Sequence, residues 1–126
     1  MSELADQSAK VRLQVPATAH AGALIDYLLV NDSEYGALTG LAFGLDRQTP
    51  SGWACVELNM IVAAVGLIVE PGQSRQLHAK LPAETPPGLY RLRQSFRLGT
   101  RQGLGWAWTS GGPPEFEVAA TFRITP

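Results

Sequence analysis

Strict alternation of apolar and polar residues constrains this chain more than any other feature. It is clearest in the run "YRLRQSFRL" (residues 90–98), which follows the turn-forming "TPPG". One side of the run carries Tyr90, Leu92, Gln94, Phe96 and Leu98, and the other carries Arg91, Arg93, Ser95 and Arg97. A period of two predicts a half-buried antiparallel strand. Residues 116–124 repeat the pattern and predict a second such strand.

The arginine side of residues 90–98 has two interpretations. If the two alternating strands pair, Glu117 lies near Arg97 or Arg93, and such cross-strand pairs stabilise a sheet modestly. We therefore interpret the stripe as a solvated sheet face with partial charge compensation. The alternative is a basic patch for an anionic partner, but three arginines alone create only a weak field.

Clusters of glycine and proline separate the apolar stretches and indicate many short strands joined by tight turns. We predict seven or eight strands, at about 11–15, 23–31, 41–47, 53–58, 63–69, 74–81, 90–98 and 116–124. This count and spacing predict an all-β, immunoglobulin-like antiparallel β-sandwich, with a closed barrel as the alternative. Residues 1–9 are expected to be a flexible segment, and residues 10–126 a single domain.

Composition excludes several classes of function. With 126 residues and 45% apolar residues, the chain is long enough for one domain with its own core. The net charge of −1 does not favour a nucleic-acid partner, which requires a basic footprint. The longest apolar run, residues 60–69, is too short to cross a membrane as a helix, so no membrane insertion is expected. The start lacks a signal peptide, which fits the cytoplasm, or the envelope or exterior if a signal has been removed.

The inventory of reactive side chains is thin, and we expect no enzyme, catalytic residue, metal or cofactor. His20 and His78 are not spaced as metal ligands. The single cysteine, Cys55, excludes an internal disulfide and is expected to be a small buried hydrophobe.

The segment "GTRQGLGWAWTSGGPP" (99–114) is the strongest candidate for a binding site. It carries Arg101, Leu104, Trp106 and Trp108. Tryptophan and arginine are frequent binding anchors, and a short β extension would aim both indoles at one face. The alternative is that the indoles fold back and cap the core. The third tryptophan, Trp53, is expected at the core or its edge, with a structural role.

Several motifs together resemble the immunoglobulin-like domains of bacterial envelope proteins and lipoproteins: "ALIDYLLVNDSEYG", "LAFGLDRQTPSGWACVEL" and "IVEPGQSRQLHAKLPAETPPGLYRLRQSFRL". Within them, Gly88 and Tyr90 resemble a tyrosine corner, in which a buried tyrosine hydroxyl bonds upstream backbone. A similar skeleton is found in intracellular proteinase inhibitors of the BsuPI type, although the residues around Gly52 and Trp53 depart from the aromatic-rich pattern of that family.

The first resemblance implies a non-enzymatic binding or structural module whose contact site is the tryptophan-bearing segment. A protein partner or self-association is expected, with a glycan as a further candidate. The second resemblance implies the alternative function, an intracellular serine-protease inhibitor of similar fold. Its inhibitory loop would be the same segment or "DRQTPSG".

Overall fold

The computed structural model describes residues 3–58, 60, 65–108 and 115–126. These residues form one short helix, α1 (Glu3–Ser8), and eleven strands. The strands are β1 (Val11–Gln14), β2 (Thr18–His20), β3 (Leu24–Asn31), β4 (Gly36–Thr39), β5 (Gly44–Thr49), β6 (Gly52–Cys55), β7 (Leu67–Val69), β8 (Ser74–Lys80), β9 (Gly88–Gln102), β10 (Gly105–Trp108) and β11 (Phe116–Thr125). No helix of the described residues is long and apolar enough to cross a membrane.

The strands form two sheets, which confirms the predicted all-β sandwich. A small sheet has the order β1–β3–β8, and a large sheet of eight strands follows the path β2–β11–β9–β4–β7. In the large sheet, β5 and β10 also pair with β9, and β6 pairs with β5. All pairings are antiparallel except that of β2 with β11. The strand count exceeds the predicted seven or eight because short strands such as β2 and β4 have too few residues to show alternation.

The core lies between the two sheets and is built from the alternating strands. The apolar side of β9 is buried, and Phe122 and Ile124 of β11 lie beside it in the same sheet. Ile25, Tyr27 and Leu29 of β3 cover this layer from the small sheet. The alternation of residues 90–98 and 116–124 therefore predicts their inner faces correctly.

One polar network crosses the core and ties the two sheets together. The Tyr27 hydroxyl of β3 donates to Gln94 Oε1 of β9 at 2.7 Å. Gln94 Nε2 then donates to Thr39 Oγ1 at 2.7 Å and to the Gly40 carbonyl at 2.9 Å. All of these side chains are buried, so each bond replaces water that the core excludes. Gln94 can therefore point into the core, because its amide group finds hydrogen-bonding partners there.

Replacing Tyr27 with phenylalanine tests this network through its pH dependence. Burial raises the pKa of Tyr27 above its ordinary value of 10.0, and burial also raises that of Tyr90. The unfolded chain releases the Tyr27 proton first, so the stabilisation is complete below the unfolded pKa and is lost as the pH rises above it. We expect Tyr27→Phe to cost about 1 kcal/mol at pH 7. The same variant should lose stability less steeply than the wild type above about pH 10. Urea unfolding at pH 7, 10 and 11 measures both effects, and equal slopes would contradict the assignment.

The crossover before β9 is fixed by Tyr90. Its hydroxyl donates to the Pro86 carbonyl, four residues upstream, at 2.6 Å. Gly88, between the two, has a φ of +153°, a backbone conformation that side chains rarely allow. Tyr90 itself is fully buried and packs near Phe122, with ring centroids 6.2 Å apart.

Part of the N-terminal segment 1–9, for which flexibility is expected, forms a helix. Residues 3–8 form α1, and the buried Gln7 accepts a hydrogen bond from the Glu34 backbone nitrogen at 2.8 Å. Leu4 packs partly buried against the core. Gln7 and Leu4 therefore hold the helix to the sandwich.

Strand boundaries differ most in the middle of the chain. The strand predicted at 41–47 begins at Gly44, because residues 40–43 connect β4 to β5 and both strands pair with successive parts of β9. The predicted strand 53–58 ends at Cys55. Of the strand predicted at 63–69, residues 67–69 form β7, and residues 63–64 lie outside the described part of the chain.

Candidate binding surface on the large sheet

The polar side of β9 faces away from the core, and we call this side of the large sheet its outer face. Along β9 it presents Arg91, Arg93, Ser95, Arg97, Gly99 and Arg101, because successive residues of a strand point to opposite sides. Neighbouring strands add residues to the same face through their register with β9. The outer face therefore carries a row of arginines with tryptophans near both ends.

A buried carboxylate organises the middle of this face. Asp46 of β5 is only 4% exposed, and its Oδ2 accepts hydrogen bonds from Arg91 Nε at 2.8 Å and Arg93 Nε at 2.7 Å. Arg93 Nη1 also lies 3.2 Å from Glu117 Oε2, the partner that the alternation predicted. Burial alone would lower the pKa of Arg93, but the hydrogen bonds and charges of Asp46 and Glu117 outweigh it, so the pKa is raised. This part of the stripe is a charge-compensated face, as the first interpretation predicted.

Sequence reasoning missed Asp46 as the centre of this cluster. An isolated aspartate within a predicted strand reads as one more solvated residue. Its role depends on the register of β5 against β9, which places Asp46 opposite Arg91. The spacing of Arg91 and Arg93 could have indicated such a carboxylate. Arginines two residues apart lie on the same side of a strand and can share one acceptor on a neighbouring strand.

Cys55 was predicted to be buried and Trp53 to lie at the core or its edge, but both side chains are exposed. Both belong to β6, which among the described strands pairs only with β5 at the edge of the large sheet, and all four residues of β6 are exposed. Trp53 lies on the outer face instead, with the Arg91 guanidinium carbon 4.6 Å from its ring centroid. Apolar character alone predicts burial, whereas β6 is an edge strand whose four residues are all exposed.

The predicted site segment begins as a hairpin. Strand β9 continues to Gln102 and turns back into β10 through Gly103 and Leu104. Gly103 has a φ of +60°, which the first central position of a type II′ turn requires. Leu104, at the tip, is fully exposed. Residues 109–114 of the segment lie outside the described part of the chain.

The hairpin places both indoles on the outer face. Trp106 lies opposite Arg101 and Trp108 opposite Gly99. The two rings stack on each other, with centroids 5.6 Å apart and planes inclined by 21°. The Arg101 guanidinium carbon lies 4.6 Å from the Trp106 ring centroid, and Arg101 also forms an ion pair with Glu70. The structure therefore brings Trp106, Trp108 and Arg101 together and leaves Leu104 at the tip.

Two glycines allow the indoles to lie this close to the sheet. Gly36 of β4 and Gly99 of β9 are direct partners across the strands. A Cβ atom at Gly36 would lie 2.6 Å from Trp106 Cζ3, and one at Gly99 would lie 2.4 Å from Trp108 Cε3. The indoles are consequently half-buried against backbone. They rest on the outer face, which differs from the alternative prediction that they cap the core.

The two histidines lie apart from each other, and each contacts a nearby side chain. His78 Nδ1 lies 2.5 Å from Asp26 Oδ1 on the small sheet, and His20 Nδ1 lies 3.3 Å from Thr125 Oγ1. Among the described residues, no group of three or more His, Cys, Asp or Glu side chains is placed to hold a metal ion.

Comparisons with known proteins do not show a family for this chain. No protein-family model matches the sequence, and no curated protein sequence matches it. Among solved structures, the chain is similar to the sporulation control protein Spo0M from Bacillus subtilis, with a TM-score of 0.40 and 14% sequence identity. The alignment covers 91% of this chain and 47% of Spo0M, so this chain spans about half the length of that protein.

Proposed function

We propose that this chain is a non-enzymatic, immunoglobulin-like binding module. Its contact site is the tryptophan surface, which we define as Trp106, Trp108, Arg101 and Leu104. The sandwich and the bond from Tyr90 to the Pro86 carbonyl support the immunoglobulin-like part of the proposal. The observation that carries the contact site is the pair of stacked indoles, held half-exposed against two glycines on the outer face.

A protein partner fits this surface best. Tryptophan provides a large contact area with little loss of conformational freedom. Tryptophan and arginine are both enriched among the residues that dominate the energetics of protein interfaces. The side chains of the tryptophan surface are preorganised, because the hairpin fixes the position of both indoles and Arg101 stacks on Trp106. The Arg101–Glu70 pair beside it is exposed and offers polar groups of both signs to an interface rim.

Affinity capture with matched variants tests this proposal. The immobilised wild type, Trp106→Ala/Trp108→Ala and Trp53→Ala are compared in host lysate, after melting curves show that all three are folded. Trp53→Ala is the control, because it also removes an outer-face indole stacked on an arginine, at the other end of the face. We expect a protein that the wild type and Trp53→Ala retain and the double variant loses.

The same experiment has two outcomes that would overturn the proposal. If the double variant retains the partner protein as well as the wild type does, the indoles do not form the contact site. If no variant captures a protein, the chain has no heterologous protein partner in the lysate. Light scattering then separates the remaining possibilities. A wild-type dimer that the double variant converts to monomer would assign the surface to self-association.

A further inference from the structure

Strand β11 has one side that is paired along only part of its length. Strand β9 pairs with it from Phe116 to Ile124, whereas β2 pairs only with residues 123–125 on the other side. No described strand pairs with that other side of residues 116–122. The Arg123 nitrogen donates to the Ala17 carbonyl, so residue 123 directs its backbone groups to this side. Because the direction alternates along a strand, residues 117, 119 and 121 present their N–H and carbonyl groups at the free edge.

The free edge of β11 lacks the features that usually protect a sheet edge. Protected edges are very short or carry lysine, proline or a bulge. The edge strands β1, β2, β6 and β7 have only three or four residues, and β8 carries Arg75 and Lys80. The free stretch of β11, "FEVAATF", has no proline, and Glu117 is its one charged residue. An edge of this kind favours pairing with another strand.

There is room for another strand beside this edge. An open cleft of about 840 Å³ borders it, with Ala120 and Thr121 of β11 on one side and Leu13 and Val15 on the other. The residues that line this cleft lie well within the described parts of the chain.

The outer side of β11 carries a cation without a carboxylate. Arg123 is exposed and forms no ion pair among the described residues. Glu117 lies on the same side of the strand, is half exposed, and contacts Arg93 through one carboxylate oxygen. Glu117 makes that contact along a diagonal, since it lies opposite Ser95 and Arg93 lies opposite Ala119. A glutamate on this sheet can therefore reach an arginine two residues along the neighbouring strand.

A second copy of this chain matches the free edge. Ala119 is the midpoint of residues 116–122, so a two-fold axis there pairs the whole free stretch and leaves Arg123 to β2. Glu117 of each copy would lie opposite Thr121 of the other and diagonal to its Arg123, within reach of a long side chain. No like charges lie opposite each other in this register. The inner side would pair apolar residues throughout, with Phe116 opposite Phe122 and Val118 opposite Ala120.

We propose that β11 pairs with β11 of a second copy of this chain, in antiparallel register about Ala119, to form a homodimer. The charge match favours a second copy over an unrelated peptide, because one sequence supplies both the unmatched arginine and the carboxylate that meets it. The two-fold axis is perpendicular to the sheet, so both outer faces lie on the same side of the dimer. The dimer would therefore present two tryptophan surfaces in one direction, which allows bivalent binding. The pairing itself does not depend on the function proposed above.

Light scattering over a range of protein concentrations tests the pairing. The key variant is Ala119→Pro, because the Ala119 N–H faces the free edge and proline is tolerated there. Proline removes the two central hydrogen bonds of the dimer without removing one from the monomer. We expect the wild type and the matched control Ala119→Ser to dimerise alike, and Ala119→Pro to dimerise about tenfold more weakly. Trp106→Ala/Trp108→Ala should remain dimeric.

A pair of charge variants keeps the test decisive if Ala119→Pro fails to fold. Arg123→Glu and Glu117→Arg each bring like charges together across the axis, so each alone should dimerise about tenfold more weakly. An equimolar mixture of the two variants should restore the dimer, because their substitutions are complementary across the pairing.

Three results would overturn the proposal. They are a wild type that stays monomeric at about 1 mM, a dimer that Ala119→Pro leaves intact, and a mixture no more dimeric than its two components. A dimer that only Trp106→Ala/Trp108→Ala dissociates would assign the contact to the tryptophan surface instead. A monomeric wild type that captures a protein, together with an Ala119→Pro variant that does not, would assign the edge to a segment of that partner.

Discussion

Replacing Asp46 with alanine is expected to lower the free energy of unfolding by about 3 kcal/mol, because removing one partner of a buried ion pair leaves the other charge uncompensated. Asp46 is nearly buried and serves both Arg91 and Arg93. We place the loss at the lower end of the range for buried pairs because the two arginine side chains are 32% and 25% exposed, so water can reach them.

The control for this experiment is Asp32→Ala. Asp32 pairs with Arg12 at 3.3 Å, but both side chains are more than half exposed. Exposed pairs contribute little, so the loss should stay below about 1 kcal/mol. Urea denaturation at pH 7 measures both variants, and similar losses would mean that the Asp46 cluster is not a buried unit. The total tryptophan fluorescence should change in Asp46→Ala and not in Asp32→Ala, since Arg91 stacks on the Trp53 indole.

Replacing Gln94 with leucine should cost about 2–3 kcal/mol, because a buried hydrogen-bonding group that loses its partner retains its full desolvation penalty. The volume of the side chain is nearly kept, so little cavity forms. The loss arises from the Tyr27 hydroxyl and the Gly40 carbonyl, which lose the bonds that Gln94 provides in the core.

A double-mutant cycle isolates this network from general packing effects. Tyr27→Phe/Gln94→Leu should cost clearly less than the sum of the two single variants, since one bond joins the two residues and can be lost only once. Gln102→Leu is the matched control, because Gln102 is exposed and its replacement should change stability by less than about 0.5 kcal/mol. Strict additivity in the cycle would contradict direct coupling across the core.

The alternative function, an intracellular serine-protease inhibitor, remains a prediction. The segment "DRQTPSG" forms most of β5 and its turn into β6, where Thr49 Oγ1 donates to the Gly52 carbonyl at 2.8 Å. Inhibition assays against bacterial serine proteases would test it directly.

The long strands could be predicted from the sequence, and for a clear reason. Strands β3, β8, β9 and β11 have one face against the core and the other against water, so the core imposes a period of two on their residues. The bounds of β3, β8 and β11 lie within one residue of the predicted ones, whereas β9 begins two residues before and ends four residues after the predicted 90–98. The alternation of Trp106 and Trp108 about Ala107 likewise predicted that both would share one face.

The remaining features depend on register and neighbours that one sequence does not reveal. Trp53 is a large aromatic residue of the kind that is usually buried in a core. The structure instead places it in β6, which pairs with β5 at the edge of the large sheet and has four exposed residues. Gly36 resembles a turn glycine, yet it begins β4 and leaves room for an indole. Asp46 is buried only because β5 aligns it with two arginines. In each case, long-range pairing overrides the local preference of the residue.

The position of β9 in the large sheet has a consequence for how the chain reaches its native state. This fifteen-residue strand pairs with β4, β5, β10 and β11. Its contacts with β4 and β5 close loops of roughly forty to sixty residues, and such high contact order slows folding. During synthesis, β4 and β5 emerge well before the strand that completes them. The nascent chain should therefore depend on chaperone protection until β9 has left the ribosome.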